Sequence, residues 1–288
     1  MNRRIPGVLT LEAPAVPEVP VVFDSPHSGT VYPDDFDYAA PEHIVRTGED
    51  TYVEELYAAA PGFGAAFLKA HFPRAYIDAN RATADIDQEL LDEPWPGPVT
   101  PSIKTTSGIG LIWRMARPGC SIYARKLTVA EVKTRIDTYH QPYQHILMET
   151  VSGVKQRFGR VWHVNCHSMP AVSDERSPEG AGIRRADFVL GDRDGTTCAP
   201  DFTAYVAGEI RAMGYRVALN DPFKGVELVR MVGAPAEGRH SLQIEVNRDL
   251  FLDDATKVKT AGFEKLKADI TTLIGKICDF AKARTEIA

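Results

Sequence analysis

Residues set far apart in this 288-residue chain have the chemistry of a hydrolytic centre: His27, an acid at Glu49 or Asp50, His167 and Glu245. Two imidazoles and one carboxylate form a known catalytic zinc set, with a position left open for water. Water on such an ion is acidic enough to attack at neutral pH, and the ion polarises the scissile carbonyl. A further carboxylate must then take the water's proton and pass it to the leaving nitrogen. Glu245 suits that task, because residues 241–247 (SLQIEVN) alternate and place it on the polar face of an otherwise apolar strand. The competing reading makes Glu245 a structural carboxylate paired with Arg248, and makes His167 a hydrogen-bonded histidine at a strand end. Glu49 and Asp50 share one helix start, and spacing does not separate them.

Substrate anchors are expected at Arg81 and Arg114, since a guanidinium fork holds a carboxylate bidentately where lysine cannot. Arg81 and Arg114 also read as surface salt-bridge residues. Cys166 adjoins His167, but alternation along a strand turns the two to opposite faces, against a cysteine nucleophile. His163 shares the face of His167, yet four residues at about 3.3 Å each put it roughly 13 Å away, too far to share one ion. His43, His71, His140, His145 and His240 read as surface, loop or core histidines.

The elements that must position these residues follow from the apolar pattern. Residues 19–24 (VPVVFD) read as a strand buried on both faces, broken by the turn around Pro26 and Gly29. A helix is expected after Asp50, strands at 66–70, 75–79, 161–164, 187–191, 215–219 and 241–247, and helices at 128–158, split at Pro142, and 203–213. Phe263, Leu266, Ile270, Leu273, Ile274, Ile277 and Phe280 form one apolar stripe of a C-terminal helix. Residues 1–18 read as a Pro-rich lead-in to one domain over 19–288, and 82–109 as a long surface excursion. Alternating strands and helices predict a three-layer α/β/α sandwich with a mixed, mostly parallel sheet. Ligands bind beyond the carboxyl ends of strands in such folds.

Composition narrows the function class. The net charge of −6 argues against nucleic acid as the partner and leaves no polybasic membrane patch. No stretch is long and apolar enough for a transmembrane helix or signal peptide. The four cysteines are scattered without a C-x-x-C pair, which fits a reduced, cytoplasmic setting.

These residues sit in a distributed pattern: Asp24-Ser25-Pro26-His27-Ser28-Gly29, Asp50 ahead of VEELY, Ile77-Asp78-Ala79-Asn80-Arg81, and Gly110-Leu111-Ile112-Trp113-Arg114. Pro142-Tyr143, Asn165-Cys166-His167-Ser168, DFVLGDRDGTTC from Asp187 to Cys198, Asn220 to Gly225, Arg230 and Gln243 to Arg248 continue it. Taken in order, the set resembles the N-formylglutamate amidohydrolase (deformylase) family across most of the chain. The resemblance implies a fold similar to zinc carboxypeptidases and aminoacylases. It implies that His27, Asp50 and His167 bind one divalent metal ion, that Glu245 is the catalytic carboxylate, and that Asn80-Arg81 grips a substrate carboxylate. Zinc is the first expectation for the ion, with cobalt, nickel and iron(II) compatible with the same ligands. The implied reaction, a step of histidine degradation, is attack of a metal-bound water on a small anionic N-acyl amino acid, N-formyl-L-glutamate first. Another N-acyl amino acid or small peptide, or a non-catalytic protein that captures anionic metabolites, is the alternative. One departure stands out: Gln144 follows Pro142-Tyr143 where many relatives carry histidine.

Overall fold

A computed structural model describes residues 1–285. Eight strands form one mixed sheet in the order Arg3–Ile5, Leu9–Glu12, Ala66–Ala70, Val21–Ser25, Val161–Met169, Arg239–Asn247, Phe188–Gly191 and Val217–Leu219. The three central pairings, from Ala66–Ala70 across to Arg239–Asn247, are parallel. Phe188–Gly191 then runs antiparallel to Arg239–Asn247. The mixed, mostly parallel sheet of an α/β fold is therefore present.

One face of the sheet is apolar. Val21, Phe23, Trp162, Val164, Cys166, Leu242, Ile244 and Val246 pack there against the helices Pro200–Ala212 and Gly262–Ala283. All seven stripe residues of the C-terminal helix are buried, as its period requires. The opposite face lies under the helix Gln141–Phe158 and a second apolar cluster built from Val22, Leu68, Tyr143, Leu147 and Val151. This face also carries a buried polar row. Parallel register sets Ser241 beside His163, Gln243 beside Asn165 and Glu245 beside His167. The site begins on that row.

Several local expectations change. Residues 1–18, read as a lead-in, supply the strands Arg3–Ile5 and Leu9–Glu12, whose hairpin extends the sheet beyond Ala66–Ala70. Leu9 and Leu11 are buried by that pairing, so the prolines at 14, 17 and 20 mark the chain's exit from the strand. Residues 75–79 form no strand. They turn beside residues 111–113, with Asp78 N donating to Leu111 O (2.7 Å) and Trp113 N to Ala75 O (3.4 Å). Ala75, Tyr76, Ile77 and Ala79 are buried, so their apolar character serves the loop layer and not the sheet. The excursion 82–109 is packed as much as exposed: Ile86, Leu90 and Leu91 are buried, and it holds one short helix, Ile103–Thr106. The helix after Asp50 is a single turn, Val53–Leu56, entered through Tyr52 at φ 68°. The split at Pro142 is as expected. Val129–Arg135 starts from a Thr128–Glu131 capping box, passes a π-turn, and resumes as Gln141–Phe158 with proline in its first turn. No helix among the described residues is long and apolar enough to cross a membrane.

Candidate active site

His27 follows the end of the Val21–Ser25 strand, on a turn that crosses close to the neighbouring loop. A Cβ at Gly29 would collide with the backbone of His71 and Phe72, so that position demands glycine. Asp50 is tied to this turn by its amide, which donates to His27 O (3.0 Å). His167 comes from the neighbouring parallel strand. Three elements distant in sequence thus bring His27, Asp50 and His167 together, with one ligand atom from each within 4.8 Å of the others. Asp50 Oδ2 lies 3.0 Å from His167 Nδ1 and 3.5 Å from His27 Nδ1. The two imidazole centroids are 4.7 Å apart.

The outer nitrogens of both rings are held in place. His27 Nε2 meets Asp78 Oδ1 at 2.6 Å, and His167 Nε2 meets Asn165 Oδ1 at 2.6 Å. Those acceptors fix the proton on Nε2, which leaves each Nδ1 lone pair directed at the shared space. His27 Nδ1 is buried and has no hydrogen-bond partner. A buried acceptor without a donor is costly, and a cation supplies what is missing. The donor set therefore fits a divalent ion. Burial pushes the Asp50 carboxyl up, but the facing imidazoles of His167 and His27 outweigh it and hold the group well below the usual carboxylate range. Its other oxygen accepts from Arg248 Nη2 at 3.1 Å. Glu49, by contrast, bonds Tyr32, Arg46 and Thr51.

Glu245 sits on the adjacent strand in register with His167. Arg248 is engaged with Asp50 and Asp254, both at 3.1 Å, so the structural pairing of Glu245 with Arg248 does not form. Among the described residues, the one side-chain hydrogen bond to Glu245 comes from Gln243 Nε2 at 3.1 Å. Burial pushes its carboxyl up to about 7, opposed by the field of His167 and reinforced by Asp50. The polar row beneath is hydrogen-bonded except at Gln243 Oε1, which is buried without a partner among the described residues. His163 bridges Asp24 and Ser241, and Asn165 Nδ2 donates to Asp24 Oδ1 (2.7 Å), which Tyr143 completes at Oδ2. Asn165 therefore connects His167 to Asp24 through its amide. His163 belongs to this network, not to the ligand set.

Asn80 reaches the site directly. Its Oδ1 accepts from Leu228 N (2.8 Å), which leaves Nδ2 3.3 Å from the protonated His167 Nε2, in contact but not hydrogen-bonded to it. Arg81 is buried, and its Nε has no hydrogen-bond partner. Arg114 has acidic partners of its own. Its guanidinium is taken up by Asp87 (2.7 Å) and Glu89 (2.8 Å), acids on the 82–109 excursion that no apolar pattern locates. Gln144 bonds the backbone of the Asn80-Arg81 turn. It donates to the carbonyls of Ala79 and Arg81 at 3.0 and 3.3 Å and so braces the Asn80-Arg81 turn from behind. Cys166 lies on the apolar face, and burial pushes its thiol well above the ordinary range, which removes it as a nucleophile.

Asp78 and Arg74 were not among the candidates. Asp78 holds His27 and accepts from Arg74 Nη2 at 2.9 Å. Its position two residues before Asn80 was the available signal, because Asn80 N also closes onto Asp78 Oδ1 (2.9 Å) in a local turn.

A family model described as N-formylglutamate amidohydrolase matches residues 19–252. N-formylglutamate deformylase from Pseudomonas aeruginosa is 28% identical over 244 residues, covering 82% of this chain and 83% of that protein. The crystal structure of N-formylglutamate amidohydrolase from Ralstonia eutropha JMP134 superposes with a TM-score of 0.93 at 48% identity, over 96% of this chain and 99% of the other. A gene product from Agrobacterium tumefaciens shares the fold, with a TM-score of 0.60 at 16% identity over 97% of this chain and 96% of the other. The chain belongs to the N-formylglutamate amidohydrolase family.

Proposed function

We propose that this hydrolase is metal-dependent and cleaves N-formyl-L-glutamate to formate and L-glutamate. The observation that carries the reading is the convergence of His27 Nδ1, Asp50 Oδ2 and His167 Nδ1, with Glu245 on the adjacent strand. His27 Nδ1, Asp50 Oδ2 and His167 Nδ1 would hold one divalent ion, zinc before cobalt, nickel or iron(II), which when bound would polarise the formyl carbonyl and acidify water. Glu245 takes the proton of the attacking water and returns it to the amide nitrogen as the carbon–nitrogen bond breaks. A carboxyl raised to about 7 suits both halves of that transfer near neutral pH. Asn80 Nδ2 and the Arg81 guanidinium hold the substrate carboxylate nearest the scissile bond.

A panel of N-acyl amino acids, run with metal content measured on the same sample, tests this reading. N-formyl-L-glutamate is expected to be turned over fastest, at a rate proportional to bound metal. Tight binding of the panel without hydrolysis by metal-loaded protein would make the chain a capture protein instead.

Asp78 should matter through His27. Asp78→Asn keeps the hydrogen-bond acceptor but removes the charge that fixes the ring, so metal affinity is expected to fall by about 10- to 100-fold. Competition with a chromophoric chelator reads that change. An unaltered affinity would assign Asp78 to the folding of the turn alone.

A further inference from the structure

Lys104 lies within the electrostatic reach of three arginines, Arg81, Arg74 and Arg176, and of these four cations only Arg81 is a site candidate from sequence. Arg81 is buried, and its Nε lacks an acceptor; the nearest acids are Asp78 at 3.8 Å from Nη1 and Asp85 at 4.0 Å from Nε. Asp85 in turn fixes the short helix Ile103–Thr106. It accepts from Ser102 N at 2.6 Å, from Ser102 Oγ at 2.9 Å and from the Thr105 hydroxyl. Gly110 lets the returning strand close over this joint, since a Cβ there would meet Thr105 Oγ1 and Asp85 O.

Lys104 lies between the two residues that Asp85 holds. It is half-buried and, among the described residues, has no carboxylate within ion-pair distance. Burial and then the charges of Arg81, Arg74 and Arg176 pull its ammonium down to about 8, while Asp174 works the other way. Arg74 and Arg176 have partners of their own, Asp78 for the first, Asp174 and Ala116 O for the second. Lys104 has none. A fold that brings a half-buried, unpaired ammonium into a field of arginines destabilises itself unless an anion enters.

Resting on the amidohydrolase reading above, we propose that Lys104 determines specificity by holding the substrate's second carboxylate, the one distal to the scissile amide. The order of contacts supports that assignment. Asn80 lies against His167, Arg81 follows it, and Asp85, 4.0 Å from Arg81 Nε, bonds Ser102 and Thr105, the residues that flank Lys104 on its short helix. The α-carboxylate is bonded to the carbon that bears the scissile nitrogen, so it belongs at Asn80 and Arg81. The side-chain carboxylate extends farther and belongs at Lys104. The 82–109 excursion, on this view, reads the charge of the amino-acid side chain.

The test compares N-formyl-L-glutamate with N-formyl-L-glutamine, a neutral analogue of nearly the same shape, for the metal-loaded wild type, Lys104→Met and Lys104→Arg. The expected result is a KM for the glutamate substrate raised about 100-fold in Lys104→Met with kcat changed little, because a desolvated charge partner is lost from binding. Turnover of the glutamine substrate should stay within about twofold, and Lys104→Arg should recover most of the preference. Equal losses on both substrates, or an unchanged preference, would overturn the role of Lys104 while leaving the activity in place. A wild type that hydrolyses neither substrate overturns the amidohydrolase reading, and this proposal with it.

Discussion

Glu245→Gln is expected to retain its metal and lose about 10³-fold in kcat, within the range of a single acid–base group. Glutamine matches the shape of the carboxylate and still accepts the 3.1 Å bond from Gln243 Nε2, so the strand need not move. What it cannot do is accept a proton. None of the three ligand atoms comes from residue 245, and Asp50 keeps its bond to Arg248. Metal stoichiometry should therefore be that of the wild type. Steady-state kinetics on protein of measured metal content separates the two effects. A variant with full metal and near wild-type kcat would remove Glu245 from proton transfer and return it to a structural role.

His167→Ala should give the opposite pattern, in which metal and activity disappear together. Two of the three ligands remain, and His27 Nδ1 again faces space with no donor. Asn165 Oδ1 also loses its 2.6 Å donor, at a cost of about 1–3 kcal/mol for a buried acceptor left unmet. Two measurements check this. Metal retained after dialysis should fall to a small fraction of an equivalent, and added metal should no longer raise Tm. For the wild type, a ligand at 1,000 times its Kd stabilises the folded state by about 4 kcal/mol. Full metal retention in His167→Ala would show that the ion sits elsewhere.

Much of this site was readable because its residues lie at places that local patterns mark. His27 follows an apolar strand that stops at Pro26, and His167 and Glu245 lie on alternating strands whose polar face is explicit in the sequence. The same alternation sent Cys166 to the apolar face, and the rise per residue along the strand kept His163 out of the ligand set; the structure places Cys166 on that face and His163 against Asp24. Residues 75–79 were less legible. An apolar run ending in polar residues reads as a strand, but the turn at Asp78 and the burial beneath residues 111–113 give it another place. Residues 1–18 misled for a related reason. Their prolines suggest a linker, yet they fall between and after two short strands that pair at the sheet's edge.

The sequence by itself determined the alternation that selects which side chains face the polar row. It also determined the helical stripe that covers the other face and the residue types able to hold an ion. Those properties are local, since strand and helix periods act over a few residues. Only the tertiary structure decided which charges are spent and which are free. Arg114 and Arg81 look alike in sequence, but Asp87 and Glu89 neutralise the first, while the second is left with an unmet Nε. Lys104 gains its meaning only when Asp85 fixes its helix beside Arg81. Pairing of charges depends on separations of a few ångströms between residues far apart along the chain, and no local pattern encodes those separations.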